Sequence, residues 1–132
     1  IMEHPEEDYA SWLRILKPGG RIVVFDSGHN KDNFLTKFDH NNEAYREEYR
    51  QKFGREPAVS FEQGQYEAAR GWKRELKLTY ESRPEWDVAA LERLGYKNVC
   101  WENVVPQISY SEELRFQNEG KVYFRLCADK SI

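Results

Sequence analysis

Five side chains stand out for the chemistry that their types and positions allow: Asp26, His29, Tyr45, Arg83 and Trp86. Asp26 closes the run Arg21-Ile22-Val23-Val24-Phe25-Asp26. As the last residue of a strand, it would sit at the carboxyl edge of a sheet, where open α/β folds bind ligands. There it can face a substrate as an acid or base; the alternative is a cap for the loop that follows. His29 lies three residues on and can act as a general base near neutral pH, or stay idle in an exposed loop. Arg83 and Trp86 bracket Pro84. They can wall a substrate pocket, the indole stacking and the guanidinium pairing with an acidic group. The simpler reading is a helix start, with Arg83 paired to a neighbouring carboxylate and Trp86 packed on the insertion. Tyr45, with Tyr49, Tyr66 and Trp72, can line a lid over an apolar or aromatic ligand, or form a small core. These five are the candidate substrate-binding residues. No Ser-His-Asp triad or carboxylate pair follows from spacing, so no catalytic residue is assigned. No His, Cys, Asp and Glu grouping has metal-ligand spacing.

The elements that must position these residues are legible in the hydropathy pattern. Tyr9, Trp12, Leu13 and Leu16 recur at helical spacing, predicting a helix over 6–17. Pro5 stands ahead of it, acidic residues fill its first turn, and Pro18-Gly19-Gly20 stops it. Residues 21–26 then read as a strand apolar on both faces, which belongs in a sheet with helices on either side. Ser27-Gly28-His29-Asn30 reads as a loop. Residues 27–82 form a helical insertion. Tyr45, Tyr49 and Phe53 predict one helix over about 42–53, and Ser60-Phe61-Glu62-Gln63 fits a capping box opening a second. The run Arg46-Glu47-Glu48-Tyr49-Arg50 reads as a solvated helix face. After Arg83, a helix carries Val88, Leu91 and Leu94 and ends at Gly95. Two alternating strands follow, over 97–105 and 120–128, joined by a polar connection. Cys100 and Cys127 fall one on each; the simplest expectation is two buried thiols in a reducing compartment.

Composition narrows the function classes. The chain has 132 residues, 39% of them apolar, against about 45–50% in typical globular chains. Aromatic residues at 14% argue against disorder. A net charge of −3 argues against a nucleic-acid partner, since phosphate binding wants a basic face. No apolar run reaches the roughly 18–20 residues of a membrane span, and no signal peptide opens the chain. A cytoplasmic location and no membrane partner are therefore expected. The chain opens at Ile1 rather than Met, as expected of one processed, trimmed or cut from something longer.

The run Trp12-Leu13-Arg14-Ile15-Leu16-Lys17-Pro18-Gly19-Gly20-Arg21-Ile22-Val23-Val24-Phe25-Asp26 resembles a particular helix–turn–strand unit. That unit lies in the second half of class I S-adenosylmethionine-dependent methyltransferases, where an LKPGG turn leads into the fifth strand. Leu91-Glu92-Arg93-Leu94-Gly95-Tyr96-Lys97-Asn98-Val99 is similar to the family's helix end before the sixth strand. Arg83-Pro84-Glu85-Trp86-Asp87 is similar to an element of a bacterial and archaeal subgroup. The resemblance spans nearly the whole chain but only the second half of the family's fold. It implies one partial α/β domain over 1–132: helix plus strand to residue 26, an insertion or lid over 27–82, then a helix and two antiparallel strands over 83–132. The sheet would be a mixed three-stranded one, ordered 5-7-6, with flanking helices. The cofactor would be S-adenosylmethionine and the partner a small-molecule methyl acceptor. The glycine-rich turn and the acidic residue that hold the cofactor in the family have no counterpart, so no cofactor-binding residue is assigned and this chain alone is not expected to bind it. The implied function is the acceptor side of a methyltransferase that needs an N-terminal half. The alternative is a non-catalytic interaction module of methyltransferase origin. With no fourth strand, one edge of Ile22–Phe25 lies open, so it is expected to pair with a second copy or with an N-terminal half, or to be covered by the insertion.

Overall fold

The computed structural model describes residues 2–29, 43–57, 68, 71–72, 75–104, 111–117 and 121–132. In chain order the elements are helix α1 (Pro5–Ile15), strand β1 (Arg21–His29), helix α2 (Glu43–Phe53), a 3-10 turn (Lys77–Tyr80), helix α3 (Glu85–Arg93), strand β2 (Lys97–Asn103), helix α4 (Glu112–Gln117) and strand β3 (Lys121–Asp129). The three strands form one sheet ordered β1-β3-β2.

Helix α1 starts where Pro5 can occupy the first turn without losing a hydrogen bond. It ends at Ile15, two residues earlier than the pattern predicts, because Leu16 turns extended ahead of Pro18. The C-terminal segment clasps the turn that follows. Lys130 donates from Nζ to the Leu16 carbonyl at 2.7 Å, and its N–H to Gly20 at 2.8 Å. Gly19 takes a φ of 73°, a conformation that a side chain would strain. Gly95, just after the last turn of helix α3, also takes a positive φ, of 94°.

Two expectations about the sheet are corrected. It is antiparallel rather than mixed, because β3 runs opposite to both neighbours and bonds to each. β1 and β2 point the same way but do not touch, so no parallel pair forms among the described residues. β1 also continues through Ser27, Gly28 and His29, which the sequence reads as loop. The reason lies across the ladder. β3 reaches far enough to offer Tyr123, Val122 and Lys121 as partners to those three residues.

The sheet has one covered face. Phe124, Leu126 and Ala128 of β3 are buried there against Tyr9, Ala90, Leu91 and Tyr96, with Trp12, Leu13, Ile22 and Val24 packed around them. The opposite face is open. Phe25 is 68% exposed and Val23 49%, so the two-sided apolar strand lacks, among the described residues, the second helical layer expected of it. Polar cross-strand rows carry much of this face instead. Arg21 pairs with Asp129 at 2.6 Å, and Arg125 with Glu102 at 2.7 Å.

The insertion builds a second, smaller cluster. Tyr45, Tyr49 and Phe53 of α2 close around Phe116, whose ring lies 5.6, 5.9 and 5.7 Å from theirs in turn. Phe116 belongs to α4, a short helix within the segment read as polar connection. The charged run on α2 is an ion-pair web: Arg50 reaches Glu47 at 3.0 Å and Glu56 at 2.8 Å. The capping box at Ser60 and most of the helix expected after it, Tyr66 included, lie outside the described residues, as do His40 and Val105. Of that helix, Ala68, Gly71, Trp72 and Glu75 are described and helical. No helix among the described residues is long and apolar enough to cross a membrane.

Candidate functional site

The C-terminal half of β1 and the N-terminus of α3 meet at a charged cluster. Arg83 lies just ahead of α3 and follows a path that β1 makes room for. A Cβ at Gly28 would collide with the Arg83 carbonyl oxygen, so only glycine lets the strand pass this close. The Arg83–Pro84 peptide bond is cis, and Pro84 is buried.

Arg83 is 7% exposed and stands between two carboxylates. Its Nε and Nη2 donate to Asp87 Oδ2 and Oδ1 at 2.9 and 2.8 Å, a bidentate pair at i, i+4 spacing. Its Nη1 donates to Asp26 Oδ2 at 2.7 Å. The guanidinium lies 5.3 Å from the centre of the Phe124 ring, which adds an aromatic face to its surroundings. From α1, the Tyr9 hydroxyl donates to Asp87 Oδ1 at 2.5 Å, and the Tyr96 hydroxyl donates to the Tyr9 carbonyl at 2.8 Å. One buried network therefore joins β1, α1, α3 and the residue that leads into β2.

Electrostatics follow from burial. Burial alone would lower the Arg83 pKa, but the hydrogen bonds and charge of Asp87, and then of Asp26, outweigh it and hold it above the usual arginine value. The Tyr9 phenol is pushed well above its ordinary value, chiefly by burial and next by the charge of Asp87. One guanidinium against two carboxylates leaves a negative charge over, and it emerges at Asp26, which is 41% exposed. Asp26 Oδ1 accepts the Ser27 N–H at 2.8 Å. A carboxylate has about four lone-pair sites, so two fixed bonds leave it able to accept from a ligand. The cluster can hold a hydroxyl, an amine or a cation at its open end, on a carboxylate whose direction is set from behind.

Of the five sequence candidates, Asp26 and Arg83 meet. Trp86 is half-buried against the core, with the Lys77 ammonium 5.2 Å from its ring centre. Tyr45 is half-buried in the α2–α4 aromatic cluster. His29 ends β1, and its side chain lies outside the described residues. Three contributors were missed. Asp87 was legible, since its i, i+4 spacing from Arg83 on a helix start is an ion-pair signature. Tyr9 carried a core pattern with no sign of its hydroxyl's task. Gly28 read as a turn residue because nothing local shows what approaches it. No family model matches the chain, and neither the curated proteins nor the solved structures include a significant match.

Proposed function

We propose that this chain is the C-terminal portion of an S-adenosylmethionine-dependent methyltransferase, supplying the acceptor side of the active site. The observation that carries this reading is the position of the last strand. β3 lies antiparallel between β1 and β2, the arrangement that strands five, seven and six take in the resembled family. The LKPGG turn leads into β1 and Leu94-Gly95-Tyr96 into β2, which supports the same identity for each strand.

The described residues do not fit the cofactor. Gly19 and Gly95, the positive-φ glycines beside the strands, lie in the turns that run from a helix into β1 and into β2. A cofactor loop needs the opposite order, strand then glycine turn then helix. Gly28 does stand on a strand, but its open side is filled by Arg83 rather than facing a ligand. What the chain's own residues offer is a directed carboxylate, Asp26 held by Arg83, for a small-molecule acceptor bearing a hydroxyl or amine. His29, Trp86 and Tyr45 are the further candidates for that pocket's rim and lid.

A second reading has its own support. Phe25 and Val23 lie exposed on a strand that bonds on one side only among the described residues. Such an edge suits an interaction module that associates by strand addition. Titration calorimetry with S-adenosylmethionine separates the two. The methyltransferase reading expects no heat with this chain alone and binding once a polypeptide carrying the first four strands is added. Tight binding to this chain alone would overturn the assignment of the cofactor to a missing half. Silence with the added half, despite stable association through β1, would favour the interaction module.

A further inference from the structure

The open face of the sheet carries a feature outside the reading above. Cys100 and Cys127 are direct partners across the β2–β3 ladder. Partners in register share a face, and this pair shares the uncovered one with Val23, which stands opposite Cys127 on the β1 side. The expectation of two buried thiols does not hold: Cys100 is exposed and Cys127 half-exposed, both as free thiols.

Directly opposed residues in an antiparallel pair have Cα atoms about 4.5–5.5 Å apart. A disulfide spans Cα separations of about 4.4–6.8 Å. Fine adjustment is available on one side of the pair. β2 is an edge strand whose register shifts between Lys97 and Cys100, with Asn98 at φ 52°, so Cys100 adjoins an irregularity rather than a rigid ladder. The adjoining row is charged. Arg21 pairs with Asp129, and Asn98 donates to the same carboxylate at 2.9 Å.

We propose that Cys100 and Cys127 form a surface dithiol site that exchanges with low-molecular-weight disulfides and closes to a cross-strand disulfide. The Cys100 thiolate, the more accessible of the two, attacks one sulfur of the small disulfide. The small molecule's S–S bond breaks, one thiolate leaves, and a mixed disulfide forms on Cys100. The Cys127 thiolate then attacks Cys100 Sγ and expels the second small thiolate. The two protons given up by the cysteines end on the two released thiols. Two protein thiols are thus oxidised while one small disulfide is reduced. The closed bond staples edge strand β2 to central strand β3 without asking the covered core to move.

Glutathione disulfide is the probe, applied to the full chain and to Cys100→Ser and Cys127→Ser. In the native chain both thiols should vanish together, with the mass falling by two hydrogens and no glutathione retained. Peptide mapping without reductant should join the Cys100 and Cys127 peptides within a monomer. Each serine variant, its fold checked by circular dichroism, should instead keep one glutathione. Stable glutathione adducts on the native chain, bonds between chains in place of the internal one, or two thiols still free where the single variants react would each overturn the proposal.

Discussion

Two arginine–aspartate pairs, one on each face of the sheet, have nearly the same geometry and very different consequences. Arg83 grips Asp87 through two nitrogens at 2.9 and 2.8 Å, and Arg21 grips Asp129 through two at 2.6 and 3.0 Å. On the covered side, Asp87 is fully buried and Arg83 nearly so. On the open side, the Arg21 side chain is 58% exposed. Solvent reaches the outer pair through Arg21, although Asp129 is only 15% exposed, so water can take the place of a guanidinium removed there. Inside, both partners are shut off from solvent, and a lost partner strands a charge. The lesson is that bond length does not rank these pairs; what surrounds them does.

The largest expected effect is therefore Arg83→Ala. Breaking a buried pair from one side costs about 3–5 kcal/mol, and here it strands Asp87 and releases Asp26 together. Chemical denaturation of this variant should show that loss. A cost no larger than that of Arg21→Ala would erase the contrast between the faces. Next comes Gly28→Ala. Its Cβ meets the Arg83 carbonyl, so strand and helix start must separate, at about 1–3 kcal/mol. An unchanged midpoint would show that β1 does not need the close approach. Tyr9→Phe removes the hydroxyl that donates to Asp87 and should cost about 1–3 kcal/mol, as expected where a buried charged acceptor loses a donor.

The faces should also separate by pH. The Tyr9 pKa is raised in the folded chain, so its contribution is fully present below the unfolded value near 10 and is lost as pH rises beyond it. Denaturation midpoints should fall on the alkaline side, and Tyr9→Phe should remove that part of the slope. Asp129 behaves in the opposite sense. Hydrogen bonds from Arg21 and then Asn98 hold it down to about 2. Its contribution is present above the unfolded value and is lost as pH falls through the folded one. Because the Arg21 guanidinium is mostly exposed and screened by solvent, Arg21→Ala should lower the midpoint at neutral pH only slightly, the smallest effect of the series, and that loss should fade as acid protonates Asp129.

Local signals in the sequence carried much of the fold. The alternation of Val122, Phe124, Leu126 and Ala128 marks the covered face of β3, and Gly95 marks the end of α3, because both depend on neighbours in the chain. What sequence could not show depends on neighbours across it. The reach of β1 to His29 is decided by β3, and the need for Gly28 by Arg83. The exposure of Cys100 and Cys127 follows from which sheet face the helices cover, and no periodicity states that. Phe116 looked like one apolar residue in a polar connection until α2 closed on it. Within the site, Asp26 and Arg83 were legible as residue types, but their meeting was not, since 57 positions separate them.

The proposed function turns on β1 as an edge that takes a further strand. Amide hydrogen exchange over Ile22–Ser27, followed across protein concentration, tests this most directly. Alternate amides along β1 bond to β3 and should be protected throughout. The intervening set should exchange rapidly in dilute solution and gain protection as concentration rises and edges pair. If that set is already protected at the highest dilution, the edge is covered within the chain and has no strand to accept. If it exchanges freely at every concentration, the edge takes no partner of its own kind, and self-association through β1 is contradicted.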